Sequence, residues 1–249
     1  MSWEPDPELK KEALQELHEF WPEKSVKELD RNLQPSLVCA QDWKSIREYT
    51  PESVRAFYDN TEGVIYDLMF MSTVGSEQGK PELIEELCAQ HECLKVLDFG
   101  GGVGWVSKYL AERGYEVTYT DLGKAFEFAK WRFARENLKI AITHADDFRE
   151  LLEFYEAIVA TEFFEHVFDP VSYAKSFYRM LKPYGILIAN TTSFGPHDSG
   201  HLPMHYHYSH YSNPQGDSFD EELKRVGFVL KETGANIYSI KCFQKVEER

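Results

Sequence analysis

Hydrophobic periodicity divides the chain into two stretches. Over residues 7–21, Leu9, Ala13, Leu14, Leu17, Phe20 and Trp21 recur at helical spacing, which gathers them on one stripe that must pack on something. Ser25 followed by Glu28 is a capping-box pattern that opens a second short helix, and Thr50-Pro51 ahead of ESVRAFY reads as an N-cap with proline in the first turn. The first ninety or so residues are therefore expected to be helical. From Cys93 onward the pattern changes to short apolar runs separated by amphipathic segments, the alternation of a parallel sheet with right-handed crossovers. Strands are expected near 94–98, 116–120, 139–143, 156–161 and 185–190. A polar, aromatic loop over 191–216 precedes a helix near 218–226, and FVLKET and IYSIKCFQK then close the sheet as an antiparallel hairpin. No Gly/Ser linker separates the stretches, so the helical N-terminus, residues 1–80, is predicted to pack as a cap or lid on an α/β unit spanning 81–249.

Charge shifts the odds among partners. A formal net charge of −15 repels phosphate backbones and anionic lipid surfaces, which disfavours nucleic acid as a substrate and leaves a small molecule. The four cysteines, Cys39, Cys88, Cys93 and Cys242, have neither CxxC spacing nor the density of a disulfide-stapled secreted domain, and are read as reduced thiols. MSWEPDPELKKEALQELHEFW lacks the apolar stretch of a signal peptide, and no segment approaches membrane-spanning length, so a cytoplasmic location is expected.

Candidate chemistry begins at KVLDFGGGVGWVSKYL, which joins a strand to a helix through Gly100, Gly101, Gly102 and Gly104. Glycine lets a backbone turn tightly and approach a ligand, and the helix that follows offers unpaired amides at its N-terminus. About twenty residues later the second strand, EVTYT, ends in Asp121, where a carboxylate can accept hydrogen bonds from both ribose hydroxyls of a nucleoside cofactor. A dinucleotide site wants GxGxxG, whereas this turn runs Asp98-x-Gly100-x-Gly102-x-Gly104.

That run resembles the class I S-adenosylmethionine-dependent methyltransferases, in which an acidic residue begins the glycine motif. The resemblance extends from about residue 82 to 243 and includes HADDF after the third strand, ATEFFEHVFDP at the end of the fourth and LKPYGILIA leading into the fifth. It implies a Rossmann-like, seven-stranded sheet, mostly parallel with an antiparallel last strand. It also implies that S-adenosylmethionine is held by Asp98, Gly100, Gly101, Gly102, Gly104, Asp121, Leu122, one of Asp146 and Asp147 at the adenine, and Glu162. Asp98 would hold the cofactor ammonium; capping of the next helix is its alternative role.

Five of nine histidines fall in GPHDSGHLPMHYHYSH, and Glu162, Glu165 and His166 close the fourth strand beside that loop in the expected sheet order. Imidazole and carboxylate converging at a strand edge suit Zn, Fe, Mn or Ni. The ExxEH pattern resembles metal-dependent O-methyltransferases, both ubiquinone-pathway enzymes and small-RNA 2′-O-methyltransferases. There a divalent ion, Mg included, makes the acceptor hydroxyl a better nucleophile and a later histidine completes the site. His201, His205 and His207 are the candidates for that position. Equally open is a metal-free site in which one of His166, His201, His205 or His207 is the general base. The expectation is methyl transfer to a small-molecule acceptor, a hydroxyl preferred. An RNA 2′-O-methyltransferase, a non-catalytic metal- or nucleoside-binding module and an aminopropyl-transferring or decarboxylating enzyme of the same fold are the alternatives.

Overall fold

The computed structural model describes residues 4–35, 37–75, 77–191, 219–232 and 239–246. Seven strands form one sheet: β1 (Lys95–Phe99), β2 (Glu116–Asp121), β3 (Ile140–His144), β4 (Tyr155–Ala160), β5 (Leu181–Asn190), β6 (Phe228–Glu232) and β7 (Ile240–Lys245). Their order is β3-β2-β1-β4-β5-β7-β6, with β1 to β5 parallel and β7 antiparallel to both neighbours. The strand positions agree with the apolar runs to within a residue or two, except that β5 begins at Leu181. A register shift between Tyr155 and Ala157 lets β5 pair early, skip over Pro183 and the left-handed Tyr184, and resume at Ile186.

Burial on both faces explains the continuous apolar runs of the central strands. Leu97, Ile158, Ala160, Leu187 and Ala189 point into one layer, with Phe164, Phe177 and Phe219. Val96, Ala157, Val159, Ile186 and Ile188 alternate into the other, against Ile84, Leu87 and Leu110. Strand order reverses between β1 and β4, and in open α/β sheets ligands bind in the crevice outside the carboxyl ends of the strands at such a point.

The N-terminal helices are α1 (Pro7–Phe20), α2 (Val26–Asn32), α3 (Leu37–Lys44), α4 (Pro51–Asn60) and α5 (Gly63–Met71); α6 (Lys80–Gln90), α7 (Trp105–Glu112), α8 (Gly123–Arg135), α9 (Pro170–Met180) and α10 (Phe219–Val226) flank the sheet. Ser25 caps α2, and Thr50 with Ser53 forms a reciprocal capping box on α4, so both turns start where the sequence says. The apolar stripe of α1 packs through Ala13 and Leu17 into a cluster that contains Tyr66, Phe70, Val103 and Phe128, residues of α5, the glycine turn and α8. Arg132, 5% exposed, donates to both Glu16 oxygens and to the Val103 carbonyl, so a fully paired buried cation ties α1 to the glycine turn. All four cysteines are buried and unbridged. Among the described residues no helix is long and apolar enough to cross a membrane.

Candidate functional site

The carboxyl ends of β1 and β2 carry the first group of residues. Gly100, Gly102 and Gly104 have φ of +71°, +56° and +74°, a left-handed sequence that only glycine adopts without strain. It folds the chain tightly enough for the Gly102 amide to donate to Asp121 Oδ2 at 2.6 Å, while the Leu122 amide donates to Oδ1 at 2.6 Å. Each Asp121 oxygen keeps a further lone pair. Asp121 is half-buried, and burial outweighs the two amides to push its carboxyl up to about 7. Asp98 is 3% exposed, accepts from Ser107 Oγ at 2.6 Å, and is pushed by burial up to about 6. Gly101 lies directly over it: a Cβ there would sit 2.6 Å from Asp98 Oδ2.

Helices α4 and α5 close over this turn. A Cβ on Gly102 would meet Leu68 Cδ1 at 2.4 Å, and one on Gly123, where φ is +60°, would meet the Tyr58 carbonyl oxygen at 2.1 Å. The α4 backbone thus rests on the residue that follows Asp121 and Leu122. From the same helix Arg55 grips Asp146 through Nη1 and Nη2 at 2.7 and 2.8 Å, a bidentate pair that draws the exposed Asp146 carboxyl below its ordinary range. Asp147 is exposed beside it.

The upper end of β4 holds the second group. Glu162 sits at φ +51°, a left-handed conformation that costs a side-chain-bearing residue roughly 1–2 kcal/mol, and its amide donates to the buried Asn190 Oδ1 at 3.3 Å. That corner leads into a short 3₁₀ turn, Phe164–His166, in which Phe164 anchors the core and Glu165 is 1% exposed. The Glu165 carboxyl faces that of Glu162, with no cationic or hydroxyl donor in hydrogen-bond geometry among the described residues, and burial raises it. Glu162 retains accessible surface, yet the protein crowded around its carboxylate, with Glu165 next to it, pushes it up to about 7. Lys80, at the start of α6, opposes both shifts through its charge. His166 Nδ1 lies 2.7 Å from the Tyr58 hydroxyl of α4.

Strand order thus brings Asp98, the glycine turn, Asp121, Glu162, Glu165 and His166 to one edge of the sheet. His201, His205 and His207 lie outside the described residues. Among the described residues no group of three His, Cys, Asp or Glu side chains is arranged to hold a metal ion. From the sequence, the aromatic segment that carries Phe57, Tyr58, Tyr66 and Phe70 is expected either to fold across the cofactor, as the resemblance implies, or to dock on the sheet. Neither Arg55 nor the pairing of Tyr58 with His166 stands out there, although the i, i+3 spacing puts Arg55 and Tyr58 on one helix face.

Comparison with known proteins agrees with this architecture. A family described as a methyltransferase domain matches residues 10–233. The ubiquinone biosynthesis O-methyltransferase of Pseudomonas savastanoi pv. phaseolicola is 36% identical over 106 residues, which cover 41% of this chain and 46% of that protein. The match therefore spans about half the length of that curated relative. The CurJ carbon methyltransferase has a similar fold, with a TM-score of 0.58 at 14% identity over 95% of this chain and 71% of that one. The S-adenosylmethionine-dependent methyltransferase SibL scores 0.53 at 15% identity over 89% and 75%.

Proposed function

The chain belongs to the methyltransferase-domain family, and from that premise we propose that it transfers the methyl group of S-adenosylmethionine to a hydroxyl of a small-molecule acceptor. One observation carries the reading: a glycine turn, two raised carboxylates and a Glu/Glu/His corner share the carboxyl edge of adjacent strands at the point where strand order reverses. The O-methyltransferase named among the relatives favours oxygen as the acceptor atom, and the net charge of −15 favours a small molecule over a polyanion.

The residues fit a cationic nucleoside. Asp98 is a buried carboxylate held by the Ser107 hydroxyl and amide, with no cation beside it among the causes of its raised pKa, and a positive ligand would relieve that shift. Asp121 retains acceptor capacity for ribose hydroxyls, and the glycine backbone would flank the cofactor tail. Asp146 or Asp147 would border the adenine, and residues 1–80 would serve as the lid over an 81–249 catalytic unit. When bound, S-adenosylmethionine supplies an electrophilic methyl on sulfur. The chain aligns the acceptor, excludes water beneath α4 and α5, and takes up the acceptor proton at His166.

A second reading, a divalent ion (Zn, Fe, Mn, Ni or Mg) held by Glu162, Glu165, His166 and one of His201, His205 and His207, is favoured by the buried Glu162–Glu165 carboxyl pair: two carboxyls both raised in a buried corner would be relieved by a cation. The test combines transfer of labelled methyl from S-adenosylmethionine to catechol with elemental analysis of untagged protein. Methylated catechol supports the O-methyl reading. Turnover that survives exhaustive chelation supports the metal-free reading, in which a histidine takes up the proton, and no transfer to catechol or any hydroxyl of an acceptor panel overturns the proposal.

A further inference from the structure

We propose that Tyr58 of the N-terminal cap is a positioning residue for His166, engaging Nδ1 so that Nε2 is the imidazole nitrogen presented to the acceptor. The inference rests on the functional reading above, because it concerns what His166 does there. Its basis is geometric. The Tyr58 hydroxyl lies 2.7 Å from Nδ1, and the two rings meet edge to face at 87° with centroids 5.9 Å apart. This is an approach that a hydrogen bond and a ring contact define together.

The contact is not a loose surface encounter, because α4 is fixed at three points. Thr50 and Ser53 lock its first turn, Arg55 binds Asp146 with two hydrogen bonds, and its backbone at Tyr58 occupies the space a Cβ on Gly123 would need. Phe57, 7% exposed, packs with Trp43 and Val54, and the Tyr58 ring meets it edge to face with centroids 4.9 Å apart. A phenyl ring at 58 would satisfy the same packing, as phenylalanines do elsewhere around the site. What the tyrosine adds is an oxygen at Nδ1.

The consequence for an imidazole is specific. Its two nitrogens are not equivalent, and the one held by the scaffold decides which remains for chemistry. In the reactive state Nδ1–H donates to Tyr58 Oη and the Nε2 lone pair faces the acceptor. The acceptor O–H bond then breaks, its proton goes to Nε2, and the O–CH₃ bond forms as the S–CH₃ bond of the cofactor breaks. The imidazolium so formed already has one N–H satisfied. Coordination of a divalent ion through Nε2 would require the same tautomer, so the assignment holds for either reading of the site. A residue from the cap, 108 positions away in sequence, thereby completes a corner built by β4.

The test uses full-length protein labelled with ¹⁵N-histidine and compares Tyr58→Phe with the parent, with His166→Gln identifying the resonances. In the parent, His166 should show the Nδ1-protonated tautomer, and in Tyr58→Phe the two nitrogens should move toward a mixture. The kcat for catechol methylation should fall by about 10–100-fold, the range for partners that orient a functional histidine, with KM for S-adenosylmethionine held within about twofold. Tyr58→His, which keeps a ring and a polar atom, should recover part of the rate and serves as the second variant if Tyr58→Phe does not fold. Unchanged His166 resonances, or a lowered Tm with an unchanged kcat, would overturn the proposal. A parent that shows the tautomer and its loss in Tyr58→Phe, yet methylates no hydroxyl, refutes the acceptor assignment and leaves the positioning role standing.

Discussion

At the amino edge of the sheet, Glu156 accepts hydrogen bonds from the Leu94 and Lys95 amides and from Lys182, at 2.8, 2.9 and 2.8 Å, and these partners hold its carboxyl down at about 2. At the carboxyl end of the same strand, Glu165 is buried against the Glu162 carboxyl with no cationic or hydroxyl donor in hydrogen-bond geometry among the described residues, and Glu162 is pushed up to about 7. Asp98 and Asp121, on the neighbouring strands, are raised as well. Identical side-chain chemistry is therefore relaxed at one edge and frustrated at the other. Local frustration persists where a structure is shaped for something other than its own stability, so the contrast separates the working edge from the supporting one.

The comparison breaks most sharply at His166. His166→Ala should lower kcat by about 10²–10⁴-fold, the range for a lost general base, with the melting temperature nearly unchanged. Methyl-transfer kinetics and thermal unfolding together read it; a stability loss as large as the activity loss would place His166 with the supporting edge. Next is Asp121→Ala, which should weaken S-adenosylmethionine binding by about 10–100-fold, the equivalent of one charge-assisted hydrogen bond worth about 1.5–3 kcal/mol, as calorimetry would show.

Acidity sharpens the same contrast. Asp121 and Asp98, near 7 and 6, sit above an ordinary carboxylate, so between about pH 4 and 7 the folded chain binds more protons than the unfolded one and their contribution to stability falls as pH rises. A cationic ligand favours their ionised forms, so cofactor affinity should rise over that interval and binding should release protons, measurable by titration in buffers of different ionisation enthalpy. Glu156 behaves oppositely: its depressed pKa stabilises the fold above the ordinary carboxylate value, and that contribution is lost as pH falls toward about 2.

Smaller effects test the supporting edge. Glu156→Ala should cost about 2 kcal/mol in chemical denaturation, since three charge-assisted hydrogen bonds are lost, with kcat unaffected. Glu165→Gln should do the reverse, raising stability by about 1 kcal/mol, or roughly 2–4 °C in Tm, while lowering activity. The smallest change is expected from Arg55→Ala, whose solvent-screened pair with the exposed Asp146 adds little to global stability and whose loss should register as faster hydrogen exchange in α4.

Much of this was readable before any coordinates. The central strands announce themselves because burial on both faces forbids polar residues, and the glycine turn because left-handed backbone excludes nearly everything else. Thr50 and Ser25 marked helix starts since capping is a contact within three residues. The pairs that finish the site were not legible. Arg55 meets Asp146 across 91 positions and Tyr58 meets His166 across 108, so their encounter depends on how α4 seats on Gly123, a packing result that no local pattern encodes. The early start of β5 stayed hidden for a related reason: a register shift carries the pairing past Pro183, which reads as a breaker.

The left-handed corner at Glu162 has a consequence for how this chain would change if its chemistry ceased to matter. Glycine at that position would relieve the backbone strain, keep the amide that reaches Asn190, and remove a carboxylate from the edge in one codon-level step. Drift released from selection for turnover should settle there early, so a glycine in place of Glu162 would mark a relative that has kept the scaffold and retired the reaction.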